Sequence, residues 1–226
     1  MDIIPIGPGF AAELRGVALA DVAADDEAYR RTRAAFEEHS VLVFRDQDVT
    51  DESQLAFSRR FGPLEVTHVA AEGAGTNLVI LSTIDKDGNV VPADHRLALR
   101  NKANQLWHTD STFKSTPALA SVLSGRIMPA QGGETEYVST RLAWERLDPA
   151  EQAKLANFFV WHDYSHSRGK ISPNLSAPRN AQRCRRSAGA WCGRTRRTAA
   201  LRFISPRTLM RSTAWSRRRR RSCLPS

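Results

Sequence analysis

No aspartate or glutamate occurs from Tyr164 to Ser226, and no histidine follows His166. The three cysteines, Cys184, Cys192 and Cys223, stand at spacings of eight and 31, which make neither a zinc pattern nor a disulfide framework. A reducing compartment is therefore expected. No stretch approaches the ~18 consecutive apolar residues of a membrane helix, which excludes an integral membrane protein of that kind. The opening Met1–Ile6 has no basic segment followed by an apolar one, so no secretory signal is expected and the cytoplasm is the default location.

What is present is ordinary for one globular domain: 226 residues, 41% hydrophobic and 25% charged. The net charge of +9 hides two unlike pieces. Residues 177–226 hold 15 arginines and no lysine, whereas residues 1–176 hold 18 basic and 24 acidic side chains. We expect a folded domain over 1–176 and a basic, unfolded or non-native tail over 177–226. Fifty residues rich in Arg, Ser, Ala, Cys and Trp, without one acid, have the composition of a GC-rich gene read in another frame.

In the first part, Phe10–Leu19 has the short apolar stretches of an early strand or two. Asp25–Glu38 reads as a helix with acids in its first turn and Tyr29, Ala35 and Phe36 facing inward. Val41–Phe44 suits a buried strand. A second helix is expected over Asp51–Phe61, capped by Thr50 and stopped by Gly62-Pro63. Leu78–Ile84 reads as a strand leading into a turn at Asp85–Asn89. Thr135–Val138 reads as a strand after Gly132-Gly133, and Asp148-Pro149-Ala150-Glu151 starts a third helix. Short strands and helices without a repeating βαβ rhythm indicate an α+β fold with a sheet sandwich or jelly roll as its core.

The segment most informative about chemistry is Asn104-Gln105-Leu106-Trp107-His108-Thr109-Asp110. On an extended strand, His-x-Asp places both side chains on one face, where an imidazole nitrogen and a carboxylate oxygen can converge on one ion. Two histidines and one carboxylate are the ligand set of non-haem Fe(II) oxygenases, and leave positions open for co-substrate and dioxygen. Other groups have plainer readings. His39 is at a helix end that favours a cation. Trp107 and Phe113 read as core. His162 and His166 have helical i, i+4 spacing but read as a helix end without metal. Arg100 and Lys102 have charge suited to an anionic substrate, with nothing in the sequence to place them.

Trp107-His108-Thr109-Asp110, followed by Ser111-Thr112-Phe113 and Pro117, resembles the iron-binding strand of the 2-oxoglutarate-dependent taurine and 2,4-dichlorophenoxyacetate dioxygenases. Three further blocks agree in order: His39–Arg45, Phe57–Leu64 and Gly132–Tyr137. The resemblance runs from about Gly7 to about Gly169. It implies a double-stranded β-helix (jelly roll) with flanking helices, incomplete at the C-terminus. It also implies Fe(II) as cofactor, held by His108 and Asp110, and 2-oxoglutarate as co-substrate, its carboxylate hydrogen-bonded by Thr135. Asn104 matches a substrate-contacting position. His68 falls in a loop region that helps close over substrate there, with too loose a match to take a role. The implied reaction couples oxidative decarboxylation of the keto acid, by dioxygen, to hydroxylation of a small anionic compound of sulfonate or aryloxyalkanoate type.

The family pattern also calls for a second histidine on a late strand and an arginine after it, to pair the distal carboxylate of 2-oxoglutarate. Neither is found where it should fall, so we expect weak iron binding and little or no activity from the chain as written. Two alternatives remain open at this point: a nucleic-acid-binding protein acting through Arg217–Arg221 with Trp191 and Trp215, or a non-catalytic remnant.

Overall fold

The computed structural model describes residues 1–66, 76–114, 116–156 and 159–175, together with the backbone of four short strands between 187 and 212. After Ile6 the chain turns at Gly7-Pro8-Gly9, so that β1 (Asp2–Pro5) and β2 (Ala12–Arg15) pair antiparallel, Asp2 opposite Arg15 and Pro5 opposite Ala12. On its other edge β2 takes β3 (Leu42–Val43) in parallel, Ala12 opposite Leu42. Parallel neighbours need a crossover, and the chain supplies one in α1 (Leu19–Ala24) and α2 (Asp26–His39).

Capping chemistry sets the helix boundaries. Asp25 accepts the Ala28 backbone N–H at 2.6 Å at the start of α2, while Asp26 and Glu27 sit at its positive end and His39 in its last turn. At the start of α3 (Asp51–Arg59), Thr50 Oγ1 accepts the Ser53 N–H at 3.2 Å and Ser53 Oγ accepts the Thr50 N–H at 2.9 Å. The chain leaves α3 through Gly62, whose φ of 137° is a conformation that L side chains rarely adopt.

The three helices are held by a small apolar core of Leu19, Val22 and Phe57, against which Val17, Tyr29, Phe44, Phe61 and Val122 pack. Phe61 lies edge-on to Tyr29 (5.6 Å between ring centres) and Phe36 (5.8 Å), and Phe57 lies 5.3 Å from Phe61. Such pairs stabilise beyond their buried area. Val122 brings the segment that follows the His-x-Asp stretch onto this core.

The second half adds α4 (Arg96–Ala103), β4 (Thr135–Ser139), α5 (Thr140–Glu145), α6 (Pro149–Leu155), β5 (Phe159–His162) and α7 (Tyr164–Gly169). Gly132 and Gly133, at φ 82° and 80°, make the turn that feeds β4. Asp148 caps α6 by accepting the Glu151 N–H at 2.9 Å, with Pro149 in the first turn. Four strands fall in the stretch read above as tail: β6 (Ser187–Ala190), β7 (Cys192–Arg194), β8 (Leu201–Phe203) and β9 (Thr208–Ser212). All pair antiparallel, β6 with β5, β7 with β8 and β9 with β4. The proposed nucleic-acid contacts at Trp191, Trp215 and Arg217–Arg221 lie outside the described residues, as does His68.

Helices and sheets, one of them mixed, are both present, as an α+β fold requires. Among the described residues the strands form four separate sheets rather than one continuous double-stranded β-helix. Leu78–Ile84 is not a strand: only Ile84 bridges to Val90 across the Asp85–Asn89 turn, and Val79, Ile80 and Leu81 are exposed with no strand beside them among the described residues. His162 and His166 do not share a helix, because His162 ends β5 and His166 lies in α7. Trp107 is not core; it is 46% exposed. The stretch around His108 is also not a continuous strand. His108 makes an isolated bridge and Asp110 opens a turn whose next residue, Ser111, has φ 59°.

Phe57 is 5% exposed at the centre of the aromatic cluster, so Phe57→Ala is expected to lower unfolding stability by about 3–5 kcal/mol. Urea denaturation followed by circular dichroism measures this; a loss under about 1 kcal/mol would mean that the cluster is not the core.

Candidate functional site

Although the expected strand is absent, the His108 and Asp110 side chains meet: Nε2 of the imidazole lies 3.5 Å from Oδ1 of the carboxylate. Each is held from behind. Nδ1 of His108 is 2.7 Å from the Leu106 carbonyl oxygen, which can only accept, so Nδ1 carries a proton and Nε2 is the nitrogen turned to Asp110. The Ser121 hydroxyl donates to Asp110 Oδ2 at 2.7 Å, leaving Oδ1 on the His108 side. The turn itself is tied down by Glu65, whose carboxylate accepts the Ser111 hydroxyl at 3.0 and 2.8 Å and pairs with Lys114. This bond holds Ser111 in a backbone region uncommon for residues other than glycine.

A neutral imidazole lone pair facing a carboxylate oxygen at this distance is repulsive unless a positive charge lies between them. Without an added ion that charge is a proton. Burial works against a charged imidazole, but the hydrogen bonds to Asp110 and to the Leu106 carbonyl, with the carboxylate's charge, outweigh it and raise the His108 pKa above the ordinary histidine value. At Asp110 burial works against the charged form too; the His108 and Ser121 hydrogen bonds outweigh it, and the pKa is lowered. A divalent ion is the other charge that fits. Two donors each about 2.1 Å from one ion stand roughly 3–3.5 Å apart, which matches the observed separation. A histidine tied through Nδ1 to a carbonyl is also the usual outer support of a metal-binding imidazole. Among the described residues no third His, Cys, Asp or Glu joins this pair.

Thr135 is half-buried at the start of β4. Strand alternation puts Tyr137 on the same face. Burial, and after it the charge of Asp110, raises the Tyr137 pKa. Asn104, at the end of α4, is on the far side of the pair in sequence; its Oδ1 accepts from Arg168 Nη2 at 3.0 Å. His162 does not join the pair in a metal-binding cluster, and burial lowers its pKa.

Residues 2–215 match the sequence profile of the family described as "Taurine catabolism dioxygenase TauD, TfdA family". The chain belongs to the TauD/TfdA family. This match runs well past Gly169, where the resemblance of individual motifs ends. The family's (S)-phenoxypropionate/alpha-ketoglutarate-dioxygenase of Sphingobium herbicidovorans is 34% identical over 178 residues, 78% of this chain and 58% of that protein. The alpha-ketoglutarate-dependent 2,4-dichlorophenoxyacetate dioxygenase of Cupriavidus pinatubonensis is 36% identical over 191 residues, 77% of this chain and 66% of that one. The present chain thus spans about three-fifths of the length of these TauD/TfdA relatives. Among solved structures, AAD-2 in complex with Mn(II) and N-oxalylglycine superposes with a TM-score of 0.79 at 29% identity, over 89% of this chain and 71% of that one. Among the described residues no helix is long and apolar enough to cross a membrane.

Motif reading of a TauD/TfdA chain finds the His108–Asp110 pair but not its supports. Glu65, Ser121 and Arg168 reach the site through tertiary contacts, with no local signal. Tyr137 had one: it lies two residues after Thr135 on a strand, hence on the same face.

Linkage gives each partner a pH window. The His108 contribution to stability is complete below the unfolded histidine pKa and is lost as pH rises through the raised folded value. The Asp110 contribution is present above the ordinary carboxylate value and is lost as pH falls through the lowered one. Replacing Asp110→Asn removes the partner charge while leaving burial, so the His108 pKa is expected to fall. Histidine NMR titration of metal-free protein reads this directly, and an unmoved His108 would show that the pair does not interact.

Proposed function

We propose that this is an Fe(II)- and 2-oxoglutarate-dependent dioxygenase of the cytoplasm that hydroxylates a small anionic organic compound of aryloxyalkanoate or sulfonate type. The observation that carries the reading is the pair of donors His108 Nε2 and Asp110 Oδ1, each fixed from behind and turned to one point. Membership of the TauD/TfdA family supports it, as do relatives named for 2-oxoglutarate-dependent attack on phenoxypropionate and 2,4-dichlorophenoxyacetate. In this reading the strands described here belong to a jelly roll.

His108 and Asp110 hold the metal. When bound, with 2-oxoglutarate and dioxygen, iron supplies the oxidising chemistry. The protein's own contribution is orientation. The Leu106 carbonyl keeps the Nδ1 proton in place, so Nε2 is the donor nitrogen; Ser121 fixes the carboxylate so that Oδ1 is the donor oxygen. Thr135 gives its hydroxyl to a carboxylate of 2-oxoglutarate, and Asn104 meets the substrate. Only two ligands come from the described residues, so weak metal binding and low turnover are expected of the 226-residue chain.

The test is metal affinity together with turnover. Mn(II) titration followed by electron paramagnetic resonance is expected to show a site that His108→Ala or Asp110→Ala weakens by at least about 100-fold, the upper end of what loss of a mere outer partner costs. Unchanged Mn(II) affinity in both variants would sink the assignment. Succinate formed from 2-oxoglutarate in the presence of Fe(II) is expected to be slow in the parent chain and absent from both variants; fast succinate release would show that a third ligand is supplied.

A further inference from the structure

Arg168 is not among the groups that the family motifs assign, yet it sits at the edge of the site. Its Nη2 donates to Asn104 Oδ1 at 3.0 Å, the guanidinium lies over the Tyr164 ring at 4.7 Å, and that ring packs on Phe113 at 5.1 Å. Its Nε is buried and, among the described residues, has no hydrogen-bond acceptor. A guanidinium cannot give up its proton, so this is a permanent positive charge partly removed from water. The two segments it engages, Asn104 directly and Phe113 through Tyr164, flank His108 and Asp110 in the chain. On the facing helix α4, Arg100 is half-buried, and burial, then the charge of Arg96, lowers its pKa. A cationic group with a buried donor left unanswered is unfavourable for the protein alone and is relieved by an anion.

Arg168 also decides how Asn104 faces. Arginine only donates, so Asn104 must turn its carbonyl oxygen to α7 and its amide nitrogen the other way. An amide N–H₂ recognises acceptors, and an acid group is the strongest of them.

We propose that Arg168 sets the preference of this site for organic acids, as a fixed charge between the Asn104 and Phe113 segments that flank His108 and Asp110, and as the positioning residue that orients Asn104. The inference rests on the dioxygenase reading in taking that pair as the reaction centre. The group recognised is the carboxylate or sulfonate of the substrate, not a carboxylate of 2-oxoglutarate.

The experiment compares the binding of phenoxyacetate with that of its neutral counterpart phenoxyethanol, by ligand-observed NMR on the full 226-residue chain with Mn(II). The parent chain is expected to favour the acid by about tenfold or more, the scale of one charge-assisted hydrogen bond. Arg168→Gln should abolish that preference while leaving phenoxyethanol binding and the thermal midpoint near the parent values, and Arg168→Lys should restore part of it. An unchanged acid-to-neutral ratio in Arg168→Gln, no preference in the parent, or a loss confined to N-oxalylglycine would each overturn the proposal. If Arg168→Gln unfolds, the Arg168→Lys ratio decides: a ratio equal to the parent's overturns it, and a lowered one supports it. Mn(II) affinity of Asp110→Ala separates this outcome from failure of the dioxygenase reading, since that variant leaves Arg168 in place.

Discussion

An imidazole nitrogen and a carboxylate oxygen placed 3.5 Å apart, each with its other side already engaged, cannot be left without a positive charge between them. Two groups between residues 104 and 121 serve that contact directly. The Leu106 carbonyl chooses the imidazole nitrogen and Ser121 chooses the carboxylate oxygen. The two residues between which the charge must sit therefore have little freedom to turn away from each other, and whatever cation arrives meets a site already aimed. Preorganisation of this kind lowers the cost of ordering at the moment of binding.

The aim is transmitted from the core. Phe57 on α3 anchors the aromatic cluster, and Val122 packs against the same core. Gln54, one turn earlier on α3, donates to the Val122 carbonyl at 3.1 Å. The neighbouring Ser121 then holds Asp110. A path of packed and hydrogen-bonded groups thus runs from the helical core to one carboxylate oxygen.

Local signals carried the helices that obey them. Asp25, Thr50 and Asp148 announce helix starts by capping chemistry, and the structure begins α2, α3 and α6 at the residue after each. α4 escaped notice because Leu97, Ala98 and Leu99 are consecutive rather than spaced for one face, and because His95 is an unusual cap. The apolar run over 78–84 misled in the opposite direction: its composition suits a strand, but a strand needs a neighbour. At the site, the His-x-Asp spacing was legible while its stated cause was not. The two side chains converge across a turn rather than along a strand face. Arg168 stood in the sequence as an ordinary cation, since its contact with Asn104 spans 64 residues.

The bond from Glu65 to Ser111 closes a loop of 46 residues. Closure entropy rises only with the logarithm of length, so doubling such a loop adds only about 0.6 kcal/mol. The part of that loop before α4 can therefore change in length with little effect on how Asp110 points, provided that its two ends still find each other, whereas the part after α4 carries Leu106 and His108, which fix the pair. Length changes there would alter the surroundings of the pair while the Asp110 carboxylate keeps its bearing.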